Sequence, residues 1–359
     1  MKVSVVHPLE LGGDELAAWR GMQESNPGLA NPFLSPGFAL AAGRVRPTAR
    51  VAVLEERQDV VGFFPFDLGR FRVGRPIAPR VSDCQAIIHC TGFEWNAREL
   101  LKGCGLDVWE FDHLIADQMA SAGHSVSARD SPIIEISLGY ETYLAERQRI
   151  SKKTFTSTFS KLRKLERKLG PMRFQFDAED PQALDVLMRW KSAQYRRTGH
   201  RDLFTVDWVV RLIWDLFETR SDGCTGTLSV LRSDSGVVAA HFGLRSESSL
   251  SCWFPAYDVT LAKYSPGLSL FLKMAELAEP AGIHYLDLGK GDEDYKQSLK
   301  NADLTVAEGW TDRPSATAVA RRIQRAPRRV LVNFIFRHPP LRRAARRVLK
   351  QVGRMRSST

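Results

Sequence analysis

Ser265-Pro-Gly267 stands where a β-like run gives way to a helical pattern, and that placement suits an anion. Proline at the first helical position loses no needed N–H, and serine is a good cap. Gly267 has no side chain to keep a ligand from the first-turn amides, and the positive end of the helix favours a phosphate. A plain well-capped helix would carry the same three residues. A second stretch, Tyr285-Leu-Asp-Leu-Gly-Lys-Gly-Asp-Glu-Asp-Tyr-Lys296, adds titratable groups. Asp287 falls near the end of an apolar strand, where a carboxylate is costly unless paired or used. A cap bonded to loop amides is the competing reading. Gly289 and Gly291 turn the chain, Tyr295 can donate a proton, and Lys296 can neutralise an anion.

These residues need a sheet and helices to position them. Around them the pattern predicts helices over Glu141 to Arg149, Lys152 to Leu169, Pro181 to Arg197, Pro266 to Ala278 and Asp294 to Leu299. Strands are expected over Gly226 to Arg232, Val237 to Arg245, Ser249 to Ala256 and Ile283 to Leu288. His241 lies within the second of these, where a satisfied core histidine competes with a functional one. Before Ile133, short strands alternate with helices, including paired strands from Arg50 and Val60. The expected organisation is therefore a first unit over 1–132, a second over 133–312 and a tail over 313–359, all of α+β type.

Composition supports two ordinary cores: 359 residues, 43% hydrophobic and 26% charged. The net charge of +10 belongs to the tail. From residue 313 onward there are 14 Lys or Arg and no acid, leaving 37 basic against 41 acidic residues elsewhere. Such segregation speaks of a partner rather than of the fold. Five cysteines without a Cys-x-x-Cys pair suggest neither a disulfide framework nor a zinc site, and no metal is expected. The N-terminus lacks a signal-peptide pattern, so a cytoplasmic protein is expected. The tail predicts amphipathic helices over Ala316 to Phe336 and Leu341 to Gly353. Arginines around Val330 to Phe336 suit an anionic membrane interface, with peripheral attachment at its inner face. Base-stacking aromatics are nearly absent there, which disfavours nucleic acid.

Together, Tyr264-Ser-Pro-Gly267, Asp287-Leu-Gly-x-Gly291 and Tyr295-Lys296 resemble the CelD-like acetyltransferase family of the GNAT superfamily, linked to cellulose and polysaccharide biosynthesis. The basic helix from Ser151 and the segments Asn31-Pro-Phe-Leu-Ser-Pro-Gly-Phe38, Gly62-Phe-Phe-Pro-Phe66 and Ser82-Asp-Cys-Gln85 are similar to family landmarks. The resemblance implies tandem GNAT-like halves, the first degenerate and shaping the acceptor cleft, followed by the basic helical tail. It implies acetyl-CoA or another acyl-CoA as co-substrate, lying in a V between two parted strands. The pyrophosphate would meet Tyr264, Ser265, Pro266, Gly267 and Leu268. An amine or hydroxyl of a polysaccharide precursor or cell-envelope compound would attack the thioester directly, in N- or O-acyl transfer. Asp287 or His241 would take its proton and Tyr295 would protonate the departing thiolate. Lys296, Lys152 and Arg163 are the expected contacts to an anionic acceptor, with a solvated amphipathic helix as the competing reading for the helix that carries the last two. One departure stands out: the Gln/Arg-x-x-Gly-x-Gly/Ala phosphate loop usual in the superfamily is absent. Two rival functions remain. One is a FemAB-like transferase drawing on aminoacyl-tRNA, and the other is a non-catalytic partner of a membrane glycosyltransferase bound through residues 313–359.

Overall fold

The structure is a computed structural model that describes residues 1–123, 126–221 and 223–324. The first half runs β1 (Lys2–Val6), α1 (Gly13–Glu24), α2 (Pro36–Val45), β2 (Ala49–Glu56), β3 (Asp59–Gly69), β4 (Val73–Pro76), β5 (Ile88–His89), α3 (Ala97–Gly103), β6 (Val108–Ile115), α4 (Met119–Ala122) and β7 (Val126–Glu135). The second half adds α5 (Tyr140–Ile150), α6 (Lys152–Leu169), β8 (Arg173–Gln175), α7 (Pro181–Thr198), α8 (Asp207–Glu218), β9 (Arg220–Ser221), β10 (Cys224–Ser233), β11 (Gly236–Arg245), β12 (Ser249–Tyr257), α9 (Pro266–Ala278), β13 (Tyr285–Asp287), α10 (Asp294–Leu299) and β14 (Ala302–Asp312). A short helix over 316–324 follows, and the rest of the expected tail helices lies outside the described residues.

Local chemistry sets most boundaries. Asp180 caps α7 by accepting from the Ala183 amide at 3.0 Å, and left-handed Gly199 ends it. The β2–β3 hairpin turns on Arg57 and Gln58, both with positive φ, the geometry that follows the twist of paired strands. Helix α8 buries Val209, Leu212, Ile213 and Leu216 on one face. It comes so close to β10 that a Cβ on Gly226 would lie 2.3 Å from the Leu216 carbonyl oxygen.

The strands form one sheet in the order β1-β2-β3-β4-β6-β14-β7-β13-β12-β11-β10-β8. The halves exchange strands at its centre. The last strand of the second half, β14, lies antiparallel between β6 and β7 of the first. In return, β7 lies between β14 and β13. A hydrophobic core on one face joins α1 and α2 to α7 and α8. Arg44 of α2 reaches Asp215 of α8 with two bonds of 2.6 Å. On the other face, α5, α6 and α9 cover β11 to β13. Loops of the first half are thus fixed beside strand ends of the second.

Candidate active site

Strand β12 pairs with β13 in parallel only from Ser249 to Ser251, opposite Tyr285 to Asp287. Beyond that point the two strands part. A register shift in the β11–β12 ladder between Phe242 and Leu244 bends the strand just before this opening. At Gly243 a Cβ would lie 2.3 Å from the Ser251 carbonyl oxygen, so only glycine allows the approach. A cleft of about 730 Å³ fills the gap. Its walls are the free part of β12, the start of α9, the loop after β13, α10 and the last turns of α7.

At one end the cleft meets the turn before α9. Ser265, Gly267 and Leu268 line it. Ser265 was expected to cap the helix; instead it adopts a left-handed conformation (φ 54°) and its hydroxyl makes no capping bond. That hydroxyl accepts a 3.0 Å bond from Lys161 Nζ of α6. The Leu268 and Ser269 amides turn back to the Ser265 carbonyl at 3.1 and 3.4 Å, leaving Gly267 as the first-turn amide open to a ligand. Lys263 and Lys168 hold their ammonium groups 5.1 and 5.9 Å from the Tyr264 ring centre. Side-chain cations therefore gather where a glycine-rich phosphate loop is missing.

At the other end, Tyr295 and Lys296 of α10 line the cleft. Tyr295 stacks on Phe271 of α9 at 5.7 Å between ring centres, and burial pushes its phenol above the ordinary value, so it stays protonated. Lys296 is buried and donates to the Gly289 and Lys290 carbonyls at 3.0 and 3.2 Å. Asp287 is buried and does not line the cleft. Its Oδ1 accepts from Ser131 Oγ at 2.8 Å and from the Gly289 amide at 2.9 Å. Burial raises its carboxyl, with these bonds opposing. His241 is also fully buried away from the cleft, behind Phe271 at 6.0 Å between ring centres. Burial, and then the Lys191 charge, lower its imidazole to about 3. Lys152 and Arg163 are exposed on α6 and do not line the cleft.

Residues without an assigned role in the sequence reading complete the site. Asp83, from the first half, lines the cleft with His113. Its loop is held at both ends. The Gln85 side chain accepts from the Asp112 and His113 amides at 2.9 and 3.1 Å, and Gln118 exchanges bonds of 2.8 and 2.7 Å with the Ile87 backbone. Burial raises the Asp83 carboxyl to about 6; His113 pulls it down while Asp287 pushes it up. Lys191 of α7 donates to the Pro255 carbonyl at 3.1 Å, and burial together with the Lys296 charge lowers it to about 8. Tyr195, one turn on, is held protonated at about 12, by burial first and then the Asp83 charge. Cys252 also borders the cleft, but burial raises its thiol well above the usual value, leaving little thiolate for covalent catalysis. The Ser82-Asp-Cys-Gln segment was visible as a motif; nothing in the local pattern marked Lys191.

Residues 152–297 match the family described as Acetyltransferase (GNAT) domain. No curated protein matches the chain. Among solved structures, FemX aligns over 89% of this chain and 99% of its own, at 9% identity and a TM-score of 0.58. A tandem GNAT protein from the clavulanic acid biosynthesis pathway aligns over 88% and 100%, at 11% identity and a TM-score of 0.50. The C-terminal domain of a protein named as a lysylphosphatidylglycerol synthetase, from Agrobacterium fabrum, aligns over 80% and 90%, at 12% identity and 0.51. The chain has the α/β fold of tandem GNAT proteins, and the segment that matches an acetyltransferase domain lies in the half that frames most of the cleft.

Proposed function

We propose that this protein transfers an acyl group from an acyl-CoA, with acetyl-CoA as the reference donor, to an amine or hydroxyl of a polysaccharide precursor or related cell-envelope compound. The observation that carries this reading is the parting of β12 from β13 after Ser251, with a cleft reaching from that V to the start of α9. The pantetheine arm has an unpaired strand edge to bond. The phosphates meet the Gly267 amide and the ammonium groups of Lys161 and Lys263.

Chemistry then follows by direct attack. The nucleophile's N–C or O–C bond forms as the thioester C–S bond breaks. Asp83, rather than the more enclosed Asp287 or His241, accepts the nucleophile's proton: it lines the cleft, and a carboxyl near 6 is ionised at neutral pH. Tyr295 delivers a proton to the departing thiolate. Asp287 shapes the exit of β13 by holding the Gly289 amide. Free CoA thiol released from acetyl-CoA, read against a panel of amino sugars and sugar hydroxyls, tests the reading. Tyr295→Phe should slow release by about a hundredfold. A Tyr295→Phe variant with undiminished turnover would remove the assigned acid.

A second reading is favoured by one feature. The exposed side of α6 carries Lys152, Arg163, Lys164, Arg167 and Lys168, a surface suited to a polyanion such as charged tRNA. Transfer that depends on aminoacyl-tRNA and ignores acyl-CoA would favour this FemAB-like alternative.

A further inference from the structure

Proline has no N–H for a β-ladder and is confined to positions where none is needed. Pro255 nevertheless lies inside β12. The Asp258 amide donates to the Val238 carbonyl at 3.1 Å, and the register pairs Ala256 with Ala240 and Phe254 with Phe242. Alternation along an antiparallel pair then turns the backbone of Pro255 away from β11 and toward the V. Its missing N–H falls on the unpaired edge where a donor thioester would lie. The next amide facing that way, on Tyr257, is about 7 Å farther along the strand. A side chain reaches this break. The Pro255 carbonyl, which faces the same way, accepts from Lys191 Nζ of α7 at 3.1 Å. That ammonium lies 5.5 Å from the Tyr195 ring centre. The other two lysines lining the cleft are engaged by acids, Lys290 with Glu308 and Lys296 with Glu293, each at 3.2 Å. Lys191 has no carboxylate at ion-pair distance among the described residues. An ammonium carries three donors, and the Pro255 carbonyl takes one of them.

Given acyl transfer in this cleft, on which the inference rests, we propose that Lys191 is the oxyanion donor, standing in for the backbone amide that Pro255 cannot supply. As the nucleophile's lone pair forms the bond to the thioester carbon, the carbonyl π pair moves onto oxygen. The Lys191 ammonium bonds that oxygen and keeps its proton. Collapse restores the carbonyl and expels the CoA thiolate, which takes the proton of Tyr295, while Asp83 holds that of the nucleophile. A full positive charge here answers a negative charge that develops only toward the transition state. Burial and then Lys296 lower Lys191 to about 8 while Glu293 opposes them, so it is still charged at neutral pH.

The test uses the full-length chain, acetyl-CoA and a panel of amino sugars and sugar hydroxyls. Methionine at 191 keeps the length of the stem and removes only the charged head, so the fold is retained. Lys191→Met should lower kcat by about a hundredfold or more and leave acetyl-CoA affinity nearly unchanged. Lys191→Gln, which keeps N–H donors without the charge, should fall between it and the wild type. Pro255→Ala restores an N–H at the same edge position, so adding it to Lys191→Met should recover about tenfold. Isotope-edited infrared spectra, which need no acceptor, should place the carbonyl band of bound acetyl-CoA lower in the wild type than in Lys191→Met. Undiminished kcat or an unmoved band in Lys191→Met, with an active wild type, would overturn this assignment alone. A loss that accompanies lost acetyl-CoA binding, or that Pro255→Ala does not relieve, would mark Lys191 as a brace for β12 and overturn it too. A wild type that neither binds acetyl-CoA nor releases its thiol would remove the acyl-transfer reading and the oxyanion role with it.

Discussion

Lys161 of α6 donates a 3.0 Å hydrogen bond to the hydroxyl of Ser265, tying the basic helix to the turn that opens α9. On the proposed reading, this ammonium supplies charge to the donor's phosphates where no glycine-rich loop is present. Lys161→Ala should weaken acetyl-CoA binding by about tenfold, the scale of one charge-assisted bond. Lys164→Ala, one turn fragment away on the exposed side, should leave the affinity unchanged. Isothermal calorimetry on both variants separates a local contact from a general charge effect.

On the proposed mechanism, Asp83 sets the pH dependence of acyl transfer. With a carboxyl near 6, kcat/KM for acyl transfer should rise as pH passes through about 6, and Asp83→Asn should lower the rate and remove that limb. Stability carries the opposite sign. The folded carboxyl is raised above its unfolded value, so the folded state binds the extra proton and loses stability as pH rises through that window. Asp83→Asn should therefore melt higher than the wild type at neutral pH, and the two should converge below about pH 4. Melting curves at two pH values check this.

For Asp287, the two bonds its Oδ1 accepts make a structural demand. Asp287→Ala leaves the Ser131 hydroxyl and the Gly289 amide unpaired in a buried place and should cost about 1–3 kcal/mol. Asp287→Asn keeps an acceptor oxygen and should cost less. Chemical denaturation measures the difference, and a smaller effect on the alanine variant than on the asparagine one would refute it.

Much of this arrangement was written in local pattern. The helix over Lys152 to Leu169 and that over Pro266 to Ala278 fall where periodicity, proline and the following glycine put them. The cleft residues Ser265, Gly267, Tyr295 and Lys296 follow from their positions at element boundaries. What escaped depends on contacts distant in the chain. Asp83 has no periodicity around it and is placed by Gln85 and Gln118 bonding to β6 and Ile87. Lys191 lies among partly exposed residues of α7 and becomes a cleft residue only once α7 packs on β11 and β12. The exchange of β7 and β14 pairs Ala302 with Ile133 and Val306 with Ile115, a choice that no window of sequence encodes. Helix α8, by contrast, carries a stripe at helical spacing, Val209, Leu212, Ile213 and Leu216, that is legible in the sequence.

The sharpest single measurement is a calorimetric titration of the full-length protein with acetyl-CoA. Saturable one-to-one binding, displaced by free CoA, is the expected result for a V-shaped cleft ending at Gly267. Heats indistinguishable from dilution at millimolar acetyl-CoA, the upper end of ordinary substrate affinities, would contradict a donor in that cleft.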